Sequence, residues 1–189
     1  TGRLVVGLDL MSNNIESILT LFSKQQFNEA LDAIQELIAN DSNDALLFNI
    51  QGACYAGLNK FILAKKSYIK AITLNPDYAK AHYNLAGALY ELNDFDDSIQ
   101  SYQNALAIES DYAEAHNNLG NVFKAKGQLD LAIKSYETAI DLKPDYIESH
   151  YSLGTSFYES GKLKETVKCY ERVLEFRPNF TEIHNNLGN

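Results

Sequence analysis

The chain has 189 residues, 46% of them hydrophobic and 22% charged, which is enough apolar material for a folded body and carries no signature of disorder. Its formal net charge of -9, with no stretch of five like charges, argues against a phosphate-tracking surface, so nucleic acid is not an expected partner. No uninterrupted run of about 18 apolar residues exists, so no membrane-spanning helix is expected, and three prolines with no tryptophan favour helices over short strands.

In chain order, residues 1–10 read as a leader, whose apolar stretch Leu4 to Leu10 is short and broken by Gly7 and Asp9; Met11 is a candidate start of the native chain. From there a period of 34 residues sets in. The four histidines, His82, His116, His150 and His184, fall 34 apart, and Pro76, Pro144 and Pro178 differ by 68 and 34. The frames are 11–44, 45–78, 79–112, 113–146 and 147–180, with a partial sixth over 181–189, so that 11–189 forms one repeat domain.

Each frame predicts two helices. Apolar positions 4, 7, 8 and 11 define the inner face of helix A, with positions 3 and 10 beside it. Small residues at position 20 (Ala30, Ala64, Ser98, Ala132), aromatics at 24 (Tyr68, Tyr102, Tyr136, Tyr170) and alanines at 27 (Ala71, Ala105, Ala139) define helix B. Asn59, Asn93, Gly127 and Gly161 at position 15 are residue types that tolerate the left-handed conformation ending a helix, and proline at 32 closes helix B in three frames. The expected fold is all-α, an α-solenoid or superhelix of antiparallel helix-turn-helix units.

This pattern resembles the tetratricopeptide repeat (TPR) family in its period, its small residues at 8, 20 and 27 and its proline at 32. The match is strong from Ala45 to Phe180. The first frame departs from it with Ile18 and Leu37 at positions the family keeps small, which reads as a cap, and Gln51, Thr166 and Val173 also depart. At the other end the chain stops within a sixth helix A, so a longer protein is expected, or a homo-oligomer formed through this uncapped end.

The same register removes most chemistry. Neighbouring helices lie about 8–10 Å apart, so one histidine per repeat cannot converge on a metal, and the histidines are expected to pack half-buried at the seam of the two helices. Gly154 to Leu163 has the wrong spacing for a phosphate loop, and no nucleophile-elbow, HExxH or GxGxxG motif is present. Cys54 and Cys169 lie in the second and fifth frames and cannot bridge within a chain whose repeats touch only their neighbours. Two such thiols suit a reducing, cytoplasmic setting. No cofactor and no enzymatic activity are expected.

Positions 2, 5, 6, 9, 12 and 13 of helix A face away from the core, and the resemblance implies that this face lines a concave groove that meets a peptide or protein segment. Position 5 reads Asn49, Tyr83, Asn117, Tyr151 and Asn185; position 12 adds Tyr90, Lys124 and Tyr158; and Asn121 stands between. Tyr83 with Tyr90 and Tyr151 with Tyr158 are seven residues apart, two turns along one helix face. These tyrosines suit two uses, ligand anchors or packing on adjacent repeats. Position 6 (Asn84, Asn118, Ser152, Asn186) resembles the asparagine ladder in the TPR arm of O-linked N-acetylglucosamine transferases, which implies a grip on a peptide backbone. The resemblance also admits a non-catalytic arm that presents substrates within a larger enzyme. Lys80, Glu114, Glu148 and Glu182 at position 2, with Glu91 and Glu159 at 13, make the groove more negative towards the C-terminus, so a neutral or basic segment is the expected partner.

Overall fold

The structure, a computed structural model, describes residues 14–39 and 43–186, with side chains described as far as residue 183. The leader 1–10, Met11 and the last three residues lie outside the described residues. The helices are α1 (14–23), α2 (Phe27–Ala39), α3 (Ala45–Gly57), α4 (Phe61–Leu74), α5 (Ala79–Glu91), α6 (Phe95–Ile108), α7 (Ala113–Ala125), α8 (Leu129–Leu142), α9 (Ile147–Glu159), α10 (Leu163–Phe176) and α11 (Thr181–Asn186). Odd-numbered helices are helix A and even-numbered ones helix B, as the 34-residue register requires. The described residues form two compact units that meet in sequence between Asp94 and Phe95.

Each A-to-B turn has one steric cause. Asn59, Asn93, Gly127 and Gly161 take φ of 57°, 60°, 72° and 72°, and Gln25 takes 59° at the same register of the first repeat. The left-handed residue turns the next amide back into the helix it has just left: Lys60 N–H donates to the Tyr55 carbonyl at 2.8 Å and Asn59 N–H to that of Ala56 at 2.9 Å. The same pair of bonds recurs at Asp94, Gln128, Lys162 and Gln26, so every turn is a Schellman closure.

The two helices of a repeat approach closely because position 8 lacks a side chain. A Cβ on Gly52, Gly120 or Gly154 would come within 2.5, 2.6 and 2.6 Å of the rings of Tyr68, Tyr136 and Tyr170. In the first repeat both sizes are exchanged: Ile18 stands where glycine is usual, Ile34 where tyrosine is usual, and both are buried in one cluster. That exchange keeps the filled volume roughly constant, which is the substitution cores tolerate best.

Two expectations need revision. Positions 3 and 10 do not merely flank the core. Leu47, Ala81, Ala115 and Ser149 at position 3, and Cys54, Ala88, Val122 and Ser156 at 10, are buried; Leu47 and Cys54 cluster with Ile18, Ala30 and Ile34 of the preceding repeat, and Ala88 with Ala64 and Tyr68, so this side of helix A packs on the repeat before it. The histidines reach further than the seam. The Nε2–H of His82, His116 and His150 donates to the carbonyls of Pro76, Ser110 and Pro144 at 2.9, 3.1 and 2.9 Å. Each ring thereby pins the loop from the preceding helix B.

Candidate functional site

In the second unit, α7 and α9 stand side by side and supply the wall on which the predicted residues fall. The seam between them is polar. Buried Asn117 accepts a hydrogen bond from the Ser149 hydroxyl at 2.9 Å through Oδ1, while its Nδ2 donates to Asn118 Oδ1 at 3.1 Å. One turn along α7, half-buried Asn121 accepts from the hydroxyl of buried Tyr136 at 2.8 Å. Lys124 closes the row by donating to Thr155 Oγ1 at 2.9 Å and pairing with Glu159 at 3.0 Å. Asn117 and Lys124 thus join adjacent repeats, whereas Asn121 ties the two helices of its own repeat together.

The tyrosines of α9 behave differently. Tyr151 is half-buried, its ring stacked on Tyr170 (centroids 6.0 Å apart, 22° between planes) and edge-on to Phe180 (5.3 Å, 67°). Its hydroxyl donates to the exposed carboxylate of Glu182 at 3.0 Å. Burial first, then the hydrogen bond to Glu182 and that group's charge, push the phenol up to about 12, so at neutral pH it remains a donor. Tyr158, two turns along the same helix face, keeps 55% of its surface exposed.

The first unit repeats part of this arrangement on α3 and α5. Buried Asn49 accepts from Asn84 Nδ2 at 2.9 Å and donates to the Tyr78 hydroxyl at 3.4 Å. Burial raises the Tyr78 phenol, against the lowering effect of that bond. Tyr83 lies half-buried with the Lys80 ammonium 4.7 Å from its ring centre, and Tyr90 is half-buried two turns further on. Asn185 belongs to α11, and its side chain lies outside those described.

The position 2 carboxylates of the A helices are also partly neutralised by partners that sequence reading missed. Glu114 pairs with Lys143 and Glu148 with Arg177, each at 3.3 Å. In both repeats a carboxylate at position 2 meets a cation at position 31. Reading positions 2 and 31 together, frame by frame, is the signal that finds them. Tyr151 with Glu182 and Lys124 with Thr155 were missed for a related reason, because each joins one repeat to the next.

Elsewhere the described residues offer little for catalysis. No group of three or more His, Cys, Asp or Glu side chains among them could hold a metal ion. None of the described helices is long and apolar enough to cross a membrane. Cys54 and Cys169 are free, and burial pushes both thiols up to about 11. A cleft of about 260 Å³ between α8, α9 and α10 brings Cys169 and His150 to one lining. With burial, and then Glu137 and Glu165, holding the thiol protonated, it is a poor nucleophile at neutral pH.

Comparison with known proteins agrees with the fold. The pattern described as TPR repeat matches residues 86–127, 120–159 and 154–189, and patterns described as tetratricopeptide repeat match 67–100 and 47–78. The crystal structure of MamA superposes with a TM-score of 0.78 at 28% identity, covering 86% of this chain and 95% of that one. The peroxisomal targeting signal receptor of Saccharomyces cerevisiae is 27% identical over 97 residues, 47% of this chain and 16% of the receptor. The heat shock protein sti1 homolog of Schizosaccharomyces pombe is 33% identical over 75 residues, 40% of this chain and 13% of that protein. The aligned segments are thus a small part of these curated relatives. With the Schellman turns and the glycine-on-tyrosine packing in the same register, the chain belongs to the tetratricopeptide repeat family of protein-interaction modules.

Proposed function

We propose that the chain binds a neutral or basic peptide or protein segment along the outward face of its A helices, in a cytoplasmic setting and without catalysing a reaction. The observation that carries this reading is Tyr158. A tyrosine 55% exposed, on the helix face that also carries Tyr151 and near a repeat junction lined by polar groups, is apolar area left for a partner. Tyr83 and Tyr90 offer the same spacing on α5. Support for a basic segment comes from Glu182, an exposed carboxylate held by the Tyr151 hydroxyl beside the Tyr151 and Phe180 rings. Aromatic faces and a carboxylate together favour a lysine or arginine side chain. The receptor named above is a targeting signal receptor, which accords with a peptide-reading role.

Binding of the purified chain to immobilised peptide arrays of neutral, basic and acidic composition tests this. Retention of neutral and basic peptides is expected, with Tyr158→Ala weakening it by about tenfold, the loss of a single interface anchor, while the far-ultraviolet circular dichroism stays unchanged. Retention that is indifferent to Tyr158→Ala, or confined to acidic peptides, refutes the reading.

A further inference from the structure

The second helices of the repeats share a buried face but not their exposed chemistry. α2 carries Glu29, Asp32 and Glu36 and no cation; α6 carries Asp96 and Asp97 and no cation. α8 has Asp130, Glu137 and Asp141 against Lys134, and α10 balances three acids with three bases. α4 is the exception. Its sequence FILAKKSYIKAITL has three lysines and no acid, and Lys60 precedes it directly. In a chain of net charge -9, this is a local reversal of sign.

The same helix exposes apolar surface. Ile62, Leu63 and Ile69 are 63%, 39% and 46% exposed, and Lys66 and Lys70 are exposed beside them. Residues 62, 66, 69 and 70 follow helical spacing, so two isoleucines about 10 Å apart and two ammonium groups share one stripe. Of the lysines, Lys65 pairs with Asp94 at 2.9 Å and Lys70 lies 5.8 Å from the Phe48 ring centre. At the N-terminal end of the stripe, Phe61, Ile62, Leu63 and Leu92, with Asn59 and Lys60, line an open and largely apolar cleft of about 280 Å³. That is room for one large side chain.

We propose that this face of α4 is a second docking surface, distinct from the A-helix face, and that it takes an acidic amphipathic segment of a partner protein. One apolar side chain of the segment enters the cleft, a second covers Ile69, and carboxylates between them meet Lys60, Lys66 and Lys70. The sign of the charge selects the partner: a complementary acidic segment is attracted to the stripe, whereas a basic one is repelled. A bilayer fits less well. α4 has its opposite face buried in the repeat and cannot roll into a membrane, a flat surface leaves the cleft empty, and the net charge opposes an anionic one. A second copy of this chain meets the same overall repulsion.

The test uses the whole chain and a fluorescein-labelled synthetic helix with two leucines seven residues apart among glutamates, read by anisotropy at low salt. Its two controls exchange the glutamates for lysines and the leucines for serines. The acidic leucine peptide is expected to bind at least about tenfold more tightly than either control. Lys66→Glu with Lys70→Glu should reverse the preference between acidic and basic peptides, and Ile69→Ser should weaken binding without changing helicity. Tyr158→Ala should leave it unaltered, which separates failure here from failure of the groove. No binding of the acidic peptide up to millimolar concentration, equal binding of the lysine control, or insensitivity to the α4 substitutions overturns the proposal. So does co-sedimentation with phosphatidylserine vesicles lost on Lys66→Glu, which assigns the stripe to lipid. A concentration-dependent mass abolished by Ile69→Ser assigns it to a second copy and overturns it equally.

Discussion

Asn117 and Tyr151 occupy the same register position one repeat apart, on the helix face that points away from the repeat's own core, yet the structure uses them in opposite ways. Asn117 is buried, with its carbonyl oxygen holding the Ser149 hydroxyl and its amide held by Asn118. Tyr151 lays its ring across Tyr170 and Phe180 and carries its hydroxyl out to an exposed carboxylate. The difference follows from reach. An asparagine is short enough to sit in the seam between repeats, where a bonded amide is required. A phenol is too long for the seam and must pass over it. Asn49, with Asn84 and Tyr78, is a second example of the first kind. Alternation of Asn and Tyr at position 5 therefore alternates amides buried within the seam with rings that pass over it.

The comparison depends on the platform beneath both residues, so the largest effect comes from disturbing that. Gly120→Val places a branched side chain where even a Cβ would lie 2.6 Å from the ring of buried Tyr136. Tyr136 cannot withdraw without surrendering its bond to Asn121. A loss of about 3 kcal/mol is expected, the upper range for overpacking, measured by urea denaturation. The third repeat carries Ala86 at this register, so Gly120→Ala should cost distinctly less, and an equal cost would contradict the steric account.

Next in size is the junction itself. Asn117→Ala removes the acceptor of a hydroxyl whose residue is fully buried, at an expected cost of about 1–3 kcal/mol. Ser149→Ala in the same background should recover part of it, because both orphaned groups are then gone. A double-mutant cycle measures this, and a coupling energy near zero would show that the bond does not join the repeats.

Most of the repeat was legible because it is written in steric terms. Asn and Gly at the turn, glycine opposite tyrosine and alanine at 20 and 27 are each the residue the space demands, so type and position together identify them. Gln25 escaped because glutamine has no leaning towards positive φ; only its register, fixed by the other four turns, points to it. Ile18 read as a departure from the pattern, and its meaning emerged only with Ile34, the compensating residue 16 positions on. Positions 3 and 10 were placed beside the core because a helical wheel treats one hairpin, whereas stacking buries a second face. At the candidate site, register position 5 alone could not separate buried Asn49 and Asn117 from half-buried Tyr151, since an amide that bonds a neighbour and one that awaits a ligand look alike in the sequence.

The smallest effect should come from the tyrosine side of the comparison. Tyr151→Phe keeps the ring contacts with Tyr170 and Phe180 and removes only a bond to an exposed carboxylate, so stability at neutral pH should change by less than about 0.5 kcal/mol. The two forms separate at high pH. The folded-state phenol is raised to about 12, above its ordinary value of 10.0, so its contribution is fully present below pH 10 and is lost as pH rises towards 12. Wild type should therefore shed stability across that window slightly faster than Tyr151→Phe, which has no proton to lose there. Denaturation midpoints at pH 8 and pH 11 measure the difference. Identical pH slopes would mean that Tyr151 is no more buried than an ordinary surface tyrosine, and a loss at pH 8 as large as that of Asn117→Ala would erase the distinction between the two junctions.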